Sequence, residues 1–207
     1  MIVHGFVQAG GGSTRFGKDK ALVRFSGQTM LERTARLLSN VCDDVFIIAP
    51  EKRYDIRDRR ILPDRWPGEG PLSGIVTALH HLEEVCNGAP QILALILGCD
   101  LPFLTAEFLA HLRERASRSK ALVVVPQSAG GLEPLCACWN PAAVAKLQAA
   151  FDSGVRKVTD AMECVPMEVL DESTWRRFDT EGRLFWNMNT PEDYEEARRI
   201  FEGQRTA

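Results

Sequence analysis

The chain has 207 residues, of which 45% are hydrophobic and 26% charged, and it carries a formal net charge of -3 at pH 7. This length and composition fit one globular domain that folds without disulfide or metal staples, and they exclude disordered and collagen-like classes. Nucleic acid as the main partner is excluded as well, because a chain that binds it over a whole face should be basic.

Apolar runs of strand length alternate with amphipathic stretches along the chain, which predicts βαβ units. The predicted strands are residues 2–8, 44–49, 92–97, 121–126 and 135–139, with a late edge strand at 165–170. The predicted helices are residues 30–38, 72–85, 106–116, 142–151 and 191–201. We therefore expect an α/β fold with a mostly parallel central sheet, formed by residues 1–207 as a single domain.

The sequence has no apolar run of the roughly 18 residues that a membrane helix needs. The first residues, MIVHGFVQAGGG, lack the basic region of a signal peptide. Six scattered cysteines form no CxxC pair, and we predict that all of them are reduced thiols. These features predict a cytoplasmic protein that has no membrane partner.

The segment 9–20, AGGGSTRFGKDK, directly follows the first predicted strand. Glycines let backbone N–H groups surround an anion, and the nearby cations Arg15, Lys18 and Lys20 favour phosphate. The segment matches a Walker A loop up to Lys18, but Asp19 stands where that motif needs Ser or Thr to hold magnesium. The sequence therefore predicts a phosphate-binding loop that is neither a P-loop nor a dinucleotide GxGxxG motif; the alternative is a polar turn.

Two further segments place polar side chains beside predicted elements: one follows a strand and the other precedes a helix. Asp100 comes directly after the apolar run 92–97, where the carboxyl ends of strands form the ligand edge of a parallel sheet. An acid facing phosphates needs an intervening cation, usually Mg²⁺, although Asp100 could instead cap a turn before Pro102. Asn187 and Asn189 alternate before a helix start and could complete a metal or phosphate shell.

Together, these motifs resemble the molybdenum cofactor guanylyltransferases. The resemblance covers nearly the whole chain, and it lies in AGG through RxGxDK at 9–20, GPLSGI at 70–75, CDLPFL at 99–104 and NMNTPED at 187–193. It implies a Rossmann-like, three-layer nucleotidyltransferase that uses GTP and Mg²⁺ to attach GMP to the phosphate of molybdopterin-bound molybdenum, releasing pyrophosphate. EPL at 133–135 and SGVR at 153–156 also fit family positions, the latter near the pterin side.

The resemblance also assigns roles to individual residues. Catalysis would rest on Arg15, Lys20 and Asp100, with Asp100 as the metal ligand. The nucleotide would contact Gln8, Ala9, Gly10, Lys20, Asp64 and Asp100, while Asn187 and Asn189 would lie on the pterin or metal side. The family usually has Leu where Gln8 stands.

The partners that the resemblance implies are the small molecules GTP and molybdopterin cofactor, with transient contact to cofactor-delivery proteins or molybdoenzymes. Three alternatives stay open at this point. The first two are a molybdopterin cytidylyltransferase and a sugar-phosphate nucleotidyltransferase, which share the reaction class. The third is a non-catalytic nucleotide-sensing module, which would keep the loop but not the metal-binding acid.

Overall fold

The computed structural model of the chain describes residues 1–9, 19–25, 27–50, 54, 60–85 and 92–203. The described strands, in chain order, are β1 Ile2–Gln8, β2 Arg24–Phe25, β3 Gln28–Thr29, β4 Asp44–Ala49, β5 Arg60–Pro63, β6 Ile92–Gly98, β7 Val123–Ser128, β8 Gly131–Leu132, β9 Cys136–Trp139 and β10 Met167–Leu170. The described α-helices are α1 Met30–Ser39, α2 Pro71–Val85, α3 Ala106–Arg118, α4 Val144–Asp152, α5 Val158–Met162, α6 Glu172–Trp175 and α7 Pro191–Gly203. Short 3₁₀ turns lie at Lys20–Leu22, Pro141–Ala143 and Arg176–Phe178.

Eight of these strands form one sheet in the order β10-β7-β9-β6-β1-β4-β5, with β8 paired to β7. The pairs β6–β1, β1–β4, β4–β5 and β10–β7 are parallel, whereas β9 runs antiparallel to both of its neighbours. The connection from β7 to β9 is too short for the crossover that a parallel partner requires, which explains the reversal. The predicted mostly parallel sheet is confirmed.

The sheet separates two layers of helices and two halves of the core. In β6, Leu93, Leu95 and Leu97 pack on one face, while Ile92, Ala94 and Ile96 pack on the other. The first face is covered by α1 and α3, and the second by α2 and α4. Because both faces are buried, β6 is apolar throughout, as expected for a central parallel strand. The result is the predicted three-layer α/β arrangement.

The helix boundaries follow local capping. Thr29 forms a capping box with Glu32 at the start of α1, and the Thr105 side chain accepts a hydrogen bond from the Phe108 N–H at the start of α3. The helix predicted at 142–151 is instead the 3₁₀ turn Pro141–Ala143 followed by α4, because Pro141 fits a tight first turn. Within the described part of the chain, no helix is both long and apolar enough to cross a membrane.

Several elements have no counterpart among the predictions. β5 continues the parallel sheet beyond β4, and the two-residue strands β2 and β3 form a small hairpin beside α1. The strand predicted at 121–126 begins at Val123, and the one predicted at 165–170 begins at Met167. The edge position predicted for the latter is confirmed, since β10 is the last strand of the sheet.

Candidate active site

The carboxyl ends of β1 and β6 meet at one edge of the sheet. The two strands are aligned in parallel so that Gln8 pairs with Gly98, and Asp100 follows two residues later. Ala9 extends β1, with its N–H donating to the Ile48 carbonyl at 2.9 Å. Ala9 and Asp100 therefore leave the sheet side by side, as the position rule for parallel sheets predicts.

Asp100 is held tightly in this position. Its carbonyl accepts a hydrogen bond from the Met188 N–H at 2.8 Å, which ties it to the segment before α7. A Cβ on Gly98 would lie 2.8 Å from Asp100 Oδ1, so the carboxylate occupies the space that a side chain at position 98 would need. Burial raises the pKa of the Asp100 carboxyl, while Lys20 acts against this rise.

Lys20 provides the positive charge opposite Asp100. Its Nζ donates a 2.7 Å hydrogen bond to Asn189 Oδ1. The position of Lys20 follows from Asp19, whose carboxylate caps the 3₁₀ turn Lys20–Leu22 and accepts a hydrogen bond from Tyr54 at 2.7 Å. Burial lowers the pKa of the lysine, and the charges of Asp100 and Asp193 counteract that decrease.

The segment before α7 is fixed by its own capping contacts. Asp193 Oδ2 accepts hydrogen bonds from the N–H groups of Asn189 at 2.7 Å and Thr190 at 2.8 Å, and Thr190 Oγ1 accepts one from the Asp193 N–H at 3.1 Å. The motif is thus a helix start, and it also places Asn189 on Lys20. The structure brings Lys20, Asp100 and Asn189 together, as the sequence predicted for one site.

Gln8 and Asp64 lie on the β1–β4–β5 side of the site. Gln8 Nε2 donates to the Pro71 carbonyl at 3.0 Å, and its Oε1 is buried with no hydrogen-bond partner in the described chain. Asp64 follows β5, and its carboxylate accepts hydrogen bonds from Ser73 Oγ at 3.0 Å and Thr77 Oγ1 at 3.3 Å. Both side chains therefore contact α2, which places its N-terminal turn at the edge of the site.

Two predicted site residues, Gly10 and Arg15, lie outside the described residues. Their roles stay predictions.

A cleft of about 540 Å³ opens next to Asp100. Its lining residues come from five parts of the chain: Gly70 and Pro71; Asp100 and Leu101; Leu132, Glu133, Pro134 and Leu135; Arg156, Lys157, Val158 and Thr159; and Asn187. Asn187 therefore lies at the cleft, whereas Asn189 contacts Lys20. The sequence predicted that both amides belong to the site, and the structure gives them different neighbours.

Sequence reasoning gave no individual role to Glu133 or Arg156 and placed both only by resemblance, in EPL at 133–135 and SGVR at 153–156. Ser128 Oγ donates to Glu133 Oε1 at 2.6 Å, while Arg156 Nε donates to Glu69 Oε2 at 2.6 Å and its guanidinium lies 4.1 Å from the centre of the Phe151 ring. The signal available in the sequence was the resemblance at EPL, residues 133–135, which directly precede the apolar run 135–139. Lys157, the remaining charged residue of the lining, had no such signal.

Comparison with known proteins identifies the family of this chain. The model of the MobA-like NTP transferase domain matches residues 5–165. A protein of Pelotomaculum thermopropionicum named "probable molybdenum cofactor guanylyltransferase" is 32% identical over 203 residues, covering 98% of this chain and 95% of that protein. The molybdenum cofactor guanylyltransferase of Desulfosudis oleivorans is 29% identical over 205 residues, covering 98% of each.

Solved structures share the fold. Molybdopterin-guanine dinucleotide biosynthesis protein A from Archaeoglobus fulgidus superposes with a TM-score of 0.81 at 25% identity, covering 97% of this chain and 99% of that one. The 2-C-methyl-D-erythritol 4-phosphate cytidylyltransferase from Thermus thermophilus, at 15% identity and a TM-score of 0.66, shares the fold alone. The match over residues 5–165 and the full-length relatives together establish that the chain belongs to the MobA-like NTP transferase family.

Proposed function

We propose that this protein transfers GMP from GTP to the phosphate of the molybdopterin-bound molybdenum cofactor, giving the guanine dinucleotide form and pyrophosphate. The observation that carries the proposal is the meeting of Lys20, Asp100 and Asn189 at the carboxyl ends of β1 and β6. A nucleotidyl transfer needs such a pairing of cation and acid, and full-length relatives of this chain carry the guanylyltransferase name.

The reaction joins two anions. An oxygen of the acceptor phosphate forms a bond to the α-phosphorus of GTP, the bond from that phosphorus to the β-bridging oxygen breaks, and pyrophosphate leaves with the electron pair. A phosphate monoester is largely dianionic near pH 7, so the nucleophile needs no general base. The chief task of the site is to neutralise charge and align the two phosphates. Lys20 would do so directly, aided by Arg15 and the loop amides.

The residues present fit a magnesium ion at Asp100. Its carboxylate is a hard oxygen ligand, Gly98 leaves room for it, and the amide of Asn187 lines the same cleft. Among the described residues, no group of three or more His, Cys, Asp or Glu side chains could hold a metal. Mg²⁺ usually takes one or two protein carboxylates and completes its shell with substrate phosphates and water. When bound, the ion would neutralise charge on the phosphates.

The nucleotide would lie on the β1–β4–β5 side, where Gln8, Ala9, Gly10 and Asp64 are assigned to it. The contacts of Asp64 with α2 suggest that it acts there by holding the loop that leads into this helix. The acceptor would occupy the cleft that Asn187 lines. Asn189 would then position Lys20 for the phosphates between the two substrates.

We further infer a cytoplasmic location and transient contact with cofactor-delivery proteins or molybdoenzymes. The support for the location is that Cys42, Cys99, Cys136, Cys138 and Cys164 are all free thiols.

The test is incubation of the purified protein with molybdopterin cofactor, Mg²⁺ and α-labelled GTP or CTP, followed by separation of the dinucleotide products. We expect label from GTP and not from CTP, and loss of product when a chelator removes the metal. Label from CTP at an equal or greater rate would identify a cytidylyltransferase. Binding of nucleotide without any transfer would identify a sensing module.

A further inference from the structure

We propose that Glu133 recognises the 2-amino-4-oxopyrimidine edge of the acceptor's pterin and thereby determines acceptor specificity. This inference rests on the proposed function, since it concerns the second substrate of that reaction. The relevant structural facts are the fixed backbone at Glu133, its open carboxylate oxygen, and the charges of the cleft around it.

The backbone places Glu133 rigidly in the cleft wall. Its N–H donates to the Pro126 carbonyl at 2.9 Å, and its carbonyl accepts from the Cys136 N–H at 2.9 Å. Two residues later, the Leu135 carbonyl accepts from the Gly98 N–H at 2.8 Å, so this segment runs directly beside the end of β6. Glu133, directly after β8, and Asp100, two residues after β6, therefore line the same cleft.

The carboxylate has unused hydrogen-bonding capacity. Ser128 Oγ donates to Oε1 at 2.6 Å, and Oε2 receives no hydrogen bond from the described residues. An ionised carboxylate can accept about four hydrogen bonds, so most of its sites remain for a ligand. Burial raises the pKa of the Glu133 carboxyl, as does the charge of Asp100, whereas the Ser128 hydrogen bond lowers it. Ligand N–H donors would relieve this cost of a half-buried acid.

The charges around the cleft decide which part of the acceptor meets Glu133. The cation Lys20 lies at the Asp100 end, so the acceptor phosphate belongs there. The lining cations on the other wall are already paired, Arg156 with Glu69 and Lys157 with Asp160 at 3.1 Å. An acid repels phosphate and attracts N–H donors, so a hydrogen-bond donor of the acceptor fits beside Glu133 better than its phosphate does. The N3–H and 2-amino group of a pterin are two parallel donors, which match a carboxylate in the same way as an arginine does.

Guanine carries the same pair of donors, but the sheet order separates it from Glu133. Of the residues assigned to the nucleotide, Gln8, Ala9 and Asp64 lie on the β1–β4–β5 side, whereas Glu133 precedes β9 on the other side of β6. The geometry therefore assigns the carboxylate to the acceptor and leaves guanine to the other half of the site.

The test compares the binding of pterin and lumazine by fluorescence titration of the full-length protein. Lumazine carries an oxo group in place of the 2-amino group, so it presents an acceptor where pterin presents a donor. We expect the unmodified protein to bind pterin about 10- to 100-fold more tightly than lumazine, as is typical when a charged hydrogen bond is lost. In Glu133→Gln the preference should fall below about threefold, because a donor amide replaces one carboxylate oxygen.

Two variants keep the interpretation clear. Glu163→Gln removes the same charge from an exposed position outside the cleft lining and should keep the full preference for pterin. Glu133→Asp retains the charge on a shorter side chain, so it should bind pterin more weakly yet still prefer it to lumazine. This second variant tests the proposal even if Glu133→Gln does not fold.

Three results would overturn the inference: equal binding of pterin and lumazine by the unmodified protein, an unchanged preference in Glu133→Gln, or a loss of GTP affinity in that variant. The last result would mean that the carboxylate reads guanine. Failure of GMP transfer in the unmodified protein would instead refute the proposed function, and it is measured separately from pterin binding.

Discussion

Gly74 and Gln8 should be energetically coupled across the junction between β1 and α2. A Cβ at position 74 would lie 2.3 Å from Gln8 Nε2 and 2.5 Å from its Cδ, whereas carbon atoms normally pack at about 3.5–4.0 Å. In Gly74→Ala, the Gln8 amide therefore has to move by about 1 Å or more. This movement breaks its 3.0 Å hydrogen bond to the Pro71 carbonyl.

Two opposing effects set the magnitude. Alanine stabilises a helix interior relative to glycine by about 0.5–1 kcal/mol. Loss of the Gln8 hydrogen bond costs about 0.5–1.5 kcal/mol, and residual crowding adds to that cost. The free energy of unfolding of Gly74→Ala should thus stay near that of the parent or fall below it. In a Gln8→Ala background the obstruction is gone, and the same substitution should stabilise the protein by about 0.5–1 kcal/mol.

The assay is a double-mutant cycle by urea unfolding of the parent, both single variants and the double variant. We expect a coupling energy of about 1 kcal/mol or more. Sites that do not interact add to within about 0.3–0.5 kcal/mol. An effect of Gly74→Ala that is equal in both backgrounds within this range would refute the contact and the anchoring of Gln8 to α2.

Three further predictions concern the site and the pH dependence of stability. Asp100→Asn should abolish GMP transfer while the circular dichroism spectrum and cooperative unfolding persist; near-normal turnover with Mg²⁺ would contradict its role as a metal ligand. Lys20→Ala should reduce kcat/KM by about 10- to 100-fold, which is the cost of losing one charged hydrogen bond. This reduction should exceed that of Lys18→Ala, and small, equal effects of the two substitutions would mean that both lysines are merely solvated. Burial lowers the pKa of His4 and His81, so the unfolded chain binds more protons than the folded chain at acidic pH. The free energy of unfolding should therefore fall as the pH drops below about 6.5. Urea unfolding of His4→Phe should show a weaker decrease with pH, and a profile identical to that of the parent would contradict the assignment.

The sequence alone determined most of the architecture of this protein. Alternating apolar runs and helical periods predicted the α/β class, because a strand buried on both faces, such as β6, has to be apolar throughout. The position of Asp100 after such a strand placed it at the ligand edge, since the carboxyl ends of parallel strands share that edge. Local capping chemistry set the starts of α1 and α3 nearly to the residue.

Other features depended on contacts between residues distant in the sequence. The pattern of β9 is apolar at every position and carries no information on direction, so only its pairing with β6 and β7 showed that it is antiparallel. The segment that forms β5 has only four residues and is not fully buried, so its sequence did not predict a strand. It owes its extended conformation to pairing with β4.

The site itself divides in the same way. Residue type and position predicted Lys20, Asp100 and Asn189 as site residues, but the hydrogen bond between Lys20 and Asn189 spans 169 residues of sequence. The contact of Gln8 with Gly74 and the place of Glu133 in the cleft arise in the same manner, from elements that only the sheet brings together. Local chemistry is determined by neighbouring residues in the chain, whereas a cleft is determined by strand order, and strand order is a property of the folded chain.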